Sequence, residues 1–222
     1  MFANRRNWPS DDRLHRFFTS NNLWTAARCE KHPDADMRNR TVAYLEALAH
    51  LCRDLGGRVM VFGSPQQRSL LPGTTPTQAL DRLAEVFSRL VPTLEATDTV
   101  VALEPLSPAE TDVLNTAADT CHLIERIGSP HVRLLLDVKA MSSEADPIPE
   151  IITASAQHLA HFHANDANLQ GPGFGVVDFA PIFAALDRIG YTGWTSVEVF
   201  DYAPGVERLV KESIDYMRSV EA

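Results

Sequence analysis

From about residue 36 onward the chain repeats one pattern: a short run rich in Val and Leu, then a longer segment with helical spacing, at a period of roughly thirty residues. Arg58-Val-Met-Val-Phe62, Thr99-Val-Val-Ala-Leu-Glu104, Val132-Arg-Leu-Leu-Leu-Asp137, Leu159-Ala-His-Phe-His163 and Trp194-Thr-Ser-Val-Glu198 read as strands. Between them, apolar residues at three- and four-residue intervals predict helices from Asp36 to about Leu55, over 77–96, 115–127, near 150–158, over 178–189, and from Gly205 to about Ser219. Strands apolar on both faces, separated by helices, build parallel sheets of βα units, because parallel neighbours need a crossover. A doubly wound sheet and a (β/α)8 barrel both satisfy the pattern. No Pro/Gly/Ser-rich linker interrupts it, so residues 1–222 are expected to form a single domain.

The first 35 residues fit less well. Ser10 can cap a short helix through Phe18, and Leu23-Trp-Thr-Ala-Ala-Arg-Cys29 reads as a strand. Counting that strand gives six, where a closed barrel needs eight. The expected fold is therefore of (β/α)8 TIM-barrel type, incomplete at the N-terminus, with residues 1–35 divergent or truncated. An incomplete barrel leaves an open sheet edge. A second copy of the chain could close it, making a homo-oligomer, or the N-terminal residues could cover it.

Composition narrows the function classes. Hydrophobic residues make up 45% and charged residues 22%, as in ordinary globular proteins. The net charge of −9 disfavours nucleic acid, whose phosphates supply most binding energy to basic faces. No apolar run approaches the ~20 residues of a membrane span, and Met1 to Ser10 hold no signal-like apolar stretch. Cys29, Cys52 and Cys121 are odd in number and lack CxxC spacing, which fits free thiols in a reducing, cytoplasmic setting.

Four strands end on groups that can carry chemistry: Glu104, Asp137, His163 and Glu198, spaced 26 to 35 residues apart, one per βα unit. In parallel βα folds the carboxyl ends of the strands form the active face. Singly, a carboxylate after a strand is often only a helix cap. Together, two Glu, one Asp and one His make a mixed N/O site for a divalent cation such as Mn²⁺, Mg²⁺ or Co²⁺, and the lack of thiolates argues against structural zinc. Arg68, in the Gly63-Ser-Pro-Gln-Gln-Arg68 loop, could meet a substrate oxyanion, and Lys139 could bring a charge near the substrate. Asp166 is a third candidate substrate contact. Gly171–Gly175 does not match the dinucleotide fingerprint, and no nucleophile elbow or P-loop is present.

These stretches resemble the xylose-isomerase-like barrel superfamily of sugar isomerases and epimerases. The similarity rests on Val101-Ala-Leu-Glu104-Pro, Leu134-Leu-Leu-Asp137-Val-Lys-Ala-Met141, His161-Phe-His163-Ala-Asn-Asp166, Gly171-Pro-Gly-Phe-Gly175-Val-Val-Asp178-Phe and Gly190-Tyr-Thr-Gly-Trp194-Thr-Ser-Val-Glu198. It implies a metal site of Glu104, Asp137, His163 and Glu198, and in the ketose 3-epimerase branch an acid/base role for both glutamates. The implied function is a metal-dependent isomerase or epimerase of a sugar, sugar phosphate or keto-sugar, working through an enediolate on a small carbohydrate. That branch carries a histidine three residues after the aspartate and an arginine six after the ligating histidine, where this chain has Ala140 and Leu169. The sugar is therefore left open. A keto-sugar lyase or hydrolase and a catalytically impaired homologue stand as alternatives. An endonuclease IV-like phosphodiesterase is disfavoured by charge and by the shortage of histidines on the active face.

Overall fold

The computed structural model describes residues 2–4, 18–19 and 34–221. The chain divides into two compact units, residues 15–134 and residues 1–14 with 135–222, and the boundary falls inside a strand.

In the unit of residues 15–134, β2 (Phe18–Thr19), β3 (Val59–Phe62), β4 (Val100–Leu103) and the first half of β5 (Val132–Asp137) run parallel. Helix α1 (Ala35–Asp54) packs against α3 (Pro76–Thr97), and α3 against α4 (Ala117–Ile127). A reciprocal box starts α3: the Thr75 hydroxyl accepts the Gln78 N–H, and Gln78 Oε1 accepts the Thr75 N–H. Its buried Leu83, Phe87, Leu90 and Leu94 supply the core, with the Phe87 ring edge-on to Phe62 at 5.0 Å. The sequence offered Asp36 as the cap of α1; the structure has Asp34 there, its carboxylate accepting the Asp36 N–H.

In the other unit, the end of β5 continues through β6 (Leu159–Ala164) and β7 (Trp194–Val197) to β1 (Phe2–Asn4). Strands β6 and β7 are parallel, whereas β1 lies antiparallel on β7 with Ala3 opposite Thr195. The N-terminal residues thus cover the β7 edge themselves. Short α5 (Val138–Met141) and α6 (Ile148–Ala154) follow β5, α7 (Phe179–Arg188) follows β6, and α8 (Val206–Glu221) packs on α7. Sequence periodicity extended α6 too far, to His158, and missed α5 and the four-residue α2 (Pro65–Arg68). One helical turn is too short to show a periodic face.

Seven strands are described against six expected. The strand expected at Leu23–Cys29 lies outside the described residues, as does the helix from Ser10 except for Phe18, which is a strand residue in β2. Among the described residues no helix is long and apolar enough to cross a membrane.

Candidate metal centre

Asp137 is the last residue of β5, His163 the penultimate residue of β6, and Glu198 the residue after β7. His163 Nδ1 lies 3.0 Å from Glu198 Oε2 and 3.7 Å from Asp137 Oδ2. The side chains of Asp137 and His163 are each 1% exposed and that of Glu198 16%, so the group opens to solvent on the Glu198 side. One potential ligand atom from each of the three lies within 4.8 Å of the others. Spacings of that size suit a single ion, whose direct ligands sit ~2.0–2.6 Å from its centre.

Asp137 has two jobs. Its Oδ1 accepts the Ala140 N–H at 2.8 Å, capping α5, and its Oδ2 accepts the Asn165 amide at 2.6 Å. Burial pushes the Asp137 carboxyl up, but His163, the Ala140 N–H and the charge of Lys139 together outweigh it and hold the group below the usual carboxylate range. Asn165 is wholly buried and accepts the Lys139 N–H at 2.8 Å, so it fixes the carboxylate and the start of α5 together. His161 shares a 2.8 Å hydrogen bond with Ser196 Oγ, and its ring stands edge-on to His163 at 5.1 Å. Burial, then the neighbouring His163 charge, drives His161 well below the usual histidine value, so it is neutral.

Of the candidate substrate contacts here, Lys139 sets its ammonium 4.4 Å from the centre of the half-exposed Phe200 ring. Asp166 is fully buried; its Oδ2 accepts the Val177 N–H at 3.2 Å, and its own N–H donates to the Gln170 carbonyl. Leu169 adopts φ 71°, and its carbonyl accepts the N–H groups of Phe200 and Asp201, just beyond Glu198.

In the unit of residues 15–134, Glu104 follows β4, is 5% exposed, and donates its N–H to the Phe62 carbonyl at 3.1 Å. The same carbonyl accepts Arg68 Nη2 at 3.0 Å. Arg68 is 0% exposed, with its guanidinium 5.6 Å from the centre of the Phe62 ring.

Sequence reasoning missed Asn165 and the His161–Ser196 pair. Asn165 offered one signal: it stands two residues past His163, at the same strand parity. For the hydroxyl partner of His161 the sequence holds none.

The family model described as xylose isomerase-like TIM barrel matches residues 7–220. A probable ketose 3-epimerase of Synechocystis sp. is 27% identical over 202 residues, covering 83% of this chain and 70% of that protein. An L-ribulose 3-epimerase of Mesorhizobium japonicum is 31% identical over 181 residues, covering 81% of this chain and 61% of that protein, so the chain spans less than two thirds of that relative. Among solved structures, a D-psicose 3-epimerase with D-tagatose from Clostridium cellulolyticum H10 superposes with a TM-score of 0.81 at 23% identity, over 89% of this chain and 76% of the other. At that identity the superposition speaks for the fold, and the fold it shows is the TIM barrel. The relatives are carbohydrate epimerases, and by its own sequence from residue 7 to residue 220 this chain belongs to the xylose isomerase-like TIM barrel family.

Proposed function

We propose that the chain is a divalent-metal-dependent epimerase of ketoses, moving a proton at the carbon beside the sugar carbonyl. The observation that carries the reading is the buried Asp137–His163–Glu198 group at the ends of three consecutive strands, with Glu104 as the strand-end acid of the other unit. With Glu104 added, as the family resemblance implies, these residues would make a four-ligand set for one divalent ion. The donor set fits: three carboxylates and an imidazole suit Mn²⁺, Mg²⁺ or Co²⁺, and packing anionic carboxylates in the interior is costly without a counter-charge. A bound cation would stabilise the negative charge that develops on the substrate oxygen.

The residues supply the rest. One glutamate takes the proton from the carbon next to the carbonyl, leaving an enediolate. The other returns a proton to the opposite face, which inverts that carbon. Glu104 and Glu198 fill these roles, and the names of the relatives point to C3 of a ketose. Asn165 and the α5 N-terminus hold Asp137 still, and His163 would present a ring nitrogen as ligand, losing any proton on that nitrogen when it coordinates. Lys139, over the Phe200 ring, is the candidate for a hydroxyl or acidic group of the sugar, at a place where Ala140 offers no side-chain donor. The lyase and endonuclease alternatives gain nothing from relatives that are epimerases.

The test is solvent deuterium entering recovered ketose at a single carbon with Mn²⁺ present. Glu104→Gln and Glu198→Gln keep a neutral oxygen while removing the proton acceptor, and each should slow exchange ~10²–10⁴-fold with substrate binding largely kept. No exchange across a broad ketose panel would instead favour the impaired homologue.

A further inference from the structure

We infer that Gly63 forms the seat of the Glu104 carboxylate and that Arg68 anchors this seat, making both positioning residues for Glu104. The inference rests on the function proposed above and lies wholly within the unit of residues 15–134. In the β3–β4 ladder Phe62 stands opposite Leu103, so Gly63 and Glu104 are the next pair, just past the last registered rung. A Cβ built on Gly63 would lie 2.9 Å from Glu104 Cδ and closer still to Oε2. Gly63 is not among the residues of positive φ, so the absence of a side chain answers the close approach and not the backbone. What a methyl would strike is the far end of a flexible side chain. It would therefore push the carboxylate aside and leave the strands in place.

The seat stays put because the Phe62 carbonyl is held twice, by the Glu104 N–H and by Arg68 Nη2. Pro65–Arg68 turns the chain back so that Arg68 reaches this carbonyl from the interior, with its guanidinium carbon 5.6 Å from the centre of the Phe62 ring. A buried guanidinium adds little net stability, but its rigid fork fixes direction well.

A crystal structure of the metal-free Gly63→Ala variant is expected to show the Glu104 carboxylate in another rotamer, with the Val59–Phe62 and Val100–Leu103 pairing intact. In Mn²⁺ titrations Gly63→Ala should bind at least ~10-fold more weakly than the parent, yet make no difference when added to Glu104→Ala. Arg68→Lys, which keeps the charge and loses the fork, should follow the same two-background pattern. An unmoved Glu104, or equal weakening in both backgrounds, overturns the inference. If Gly63→Ala alone does not fold, Gly63→Ala/Glu104→Ala decides: melting with Glu104→Ala supports the seat, and melting well below it refutes the seat. A parent that takes up no Mn²⁺ sinks the metal-dependent function, whereas the crystal comparison still judges the seat.

Discussion

Cys52 lies on the inner face of α1, 1% exposed, and burial raises its thiol from the ordinary 9.0 to about 11. The sign follows from the neutral form being the one that tolerates the interior. At pH 8 about one unfolded thiol in ten is ionised but only about one native thiol in a thousand, so alkylation of native Cys52 should run at least ~100-fold slower than in denaturant. The part of stability linked to this thiol is complete below pH 9 and is lost as pH rises from 9 through 11. Iodoacetamide labelling read by mass spectrometry across pH 7–11 measures both, and equal native and unfolded rates at pH 8 would contradict the buried placement. Asp137 gives the complementary case, in which a charged group is kept inside by partners. The carboxylate ends its strand, caps α5 and takes the Asn165 amide, so the helix-cap reading of this residue is met, with Oδ2 3.7 Å from His163 Nδ1.

The glycine-rich stretch after β6 acquires its meaning from the elements around it. Side chains at Gly171 and Gly173 would run into Ser213 and Tyr216 of α8, and one at Gly175 into the Asp166 carboxylate. Gly171 and Gly173 thus let this segment lie close against α8. Gly173 also has φ 86°, whereas Gly56, just past α1, has φ 74° with nothing near its missing Cβ. Gly56→Ala should therefore lose only the left-handed backbone penalty, about 1–2 kcal/mol, or a Tm drop of roughly 2–8 °C at this chain length. Gly173→Ala should lose that and the Tyr216 packing too. Calorimetry of the pair checks it, and equal drops would mean that the Tyr216 contact contributes nothing. The same contrast explains what was legible in the sequence. Five strands and the long helices declare themselves because burial imposes a period over many residues. Edge strands β1 and β2, two or three residues long, carry no period and exist only through their pairing with β7 and β3. Glu104, Asp137, His163 and Glu198 stood out because each ends a strand in equivalent βα units. Asn165, Ser196 and Gly63 did not, since their roles depend on which partner a fold brings within reach.

A chain of net charge −9 attracts divalent cations loosely at many surface carboxylates, so a general salt effect must be separated from one occupied site. An ion bound only by the folded chain stabilises it by about 2.7 kcal/mol at a hundredfold excess over its Kd, which for 222 residues is a Tm rise of roughly 5–10 °C. Loosely gathered ions give no saturable rise. Mn²⁺ should therefore raise the Tm of the EDTA-treated parent along a saturating curve with one ion per chain by elemental analysis. Asp137→Asn combined with His163→Ala removes one charge of the surplus but two of the proposed ligands. Its non-specific response should be nearly unchanged and its saturable response gone. Retention of the saturating rise in that double variant would place the ion elsewhere, and with it the carbon acid chemistry assigned to Glu104 and Glu198 would lose its source of charge stabilisation.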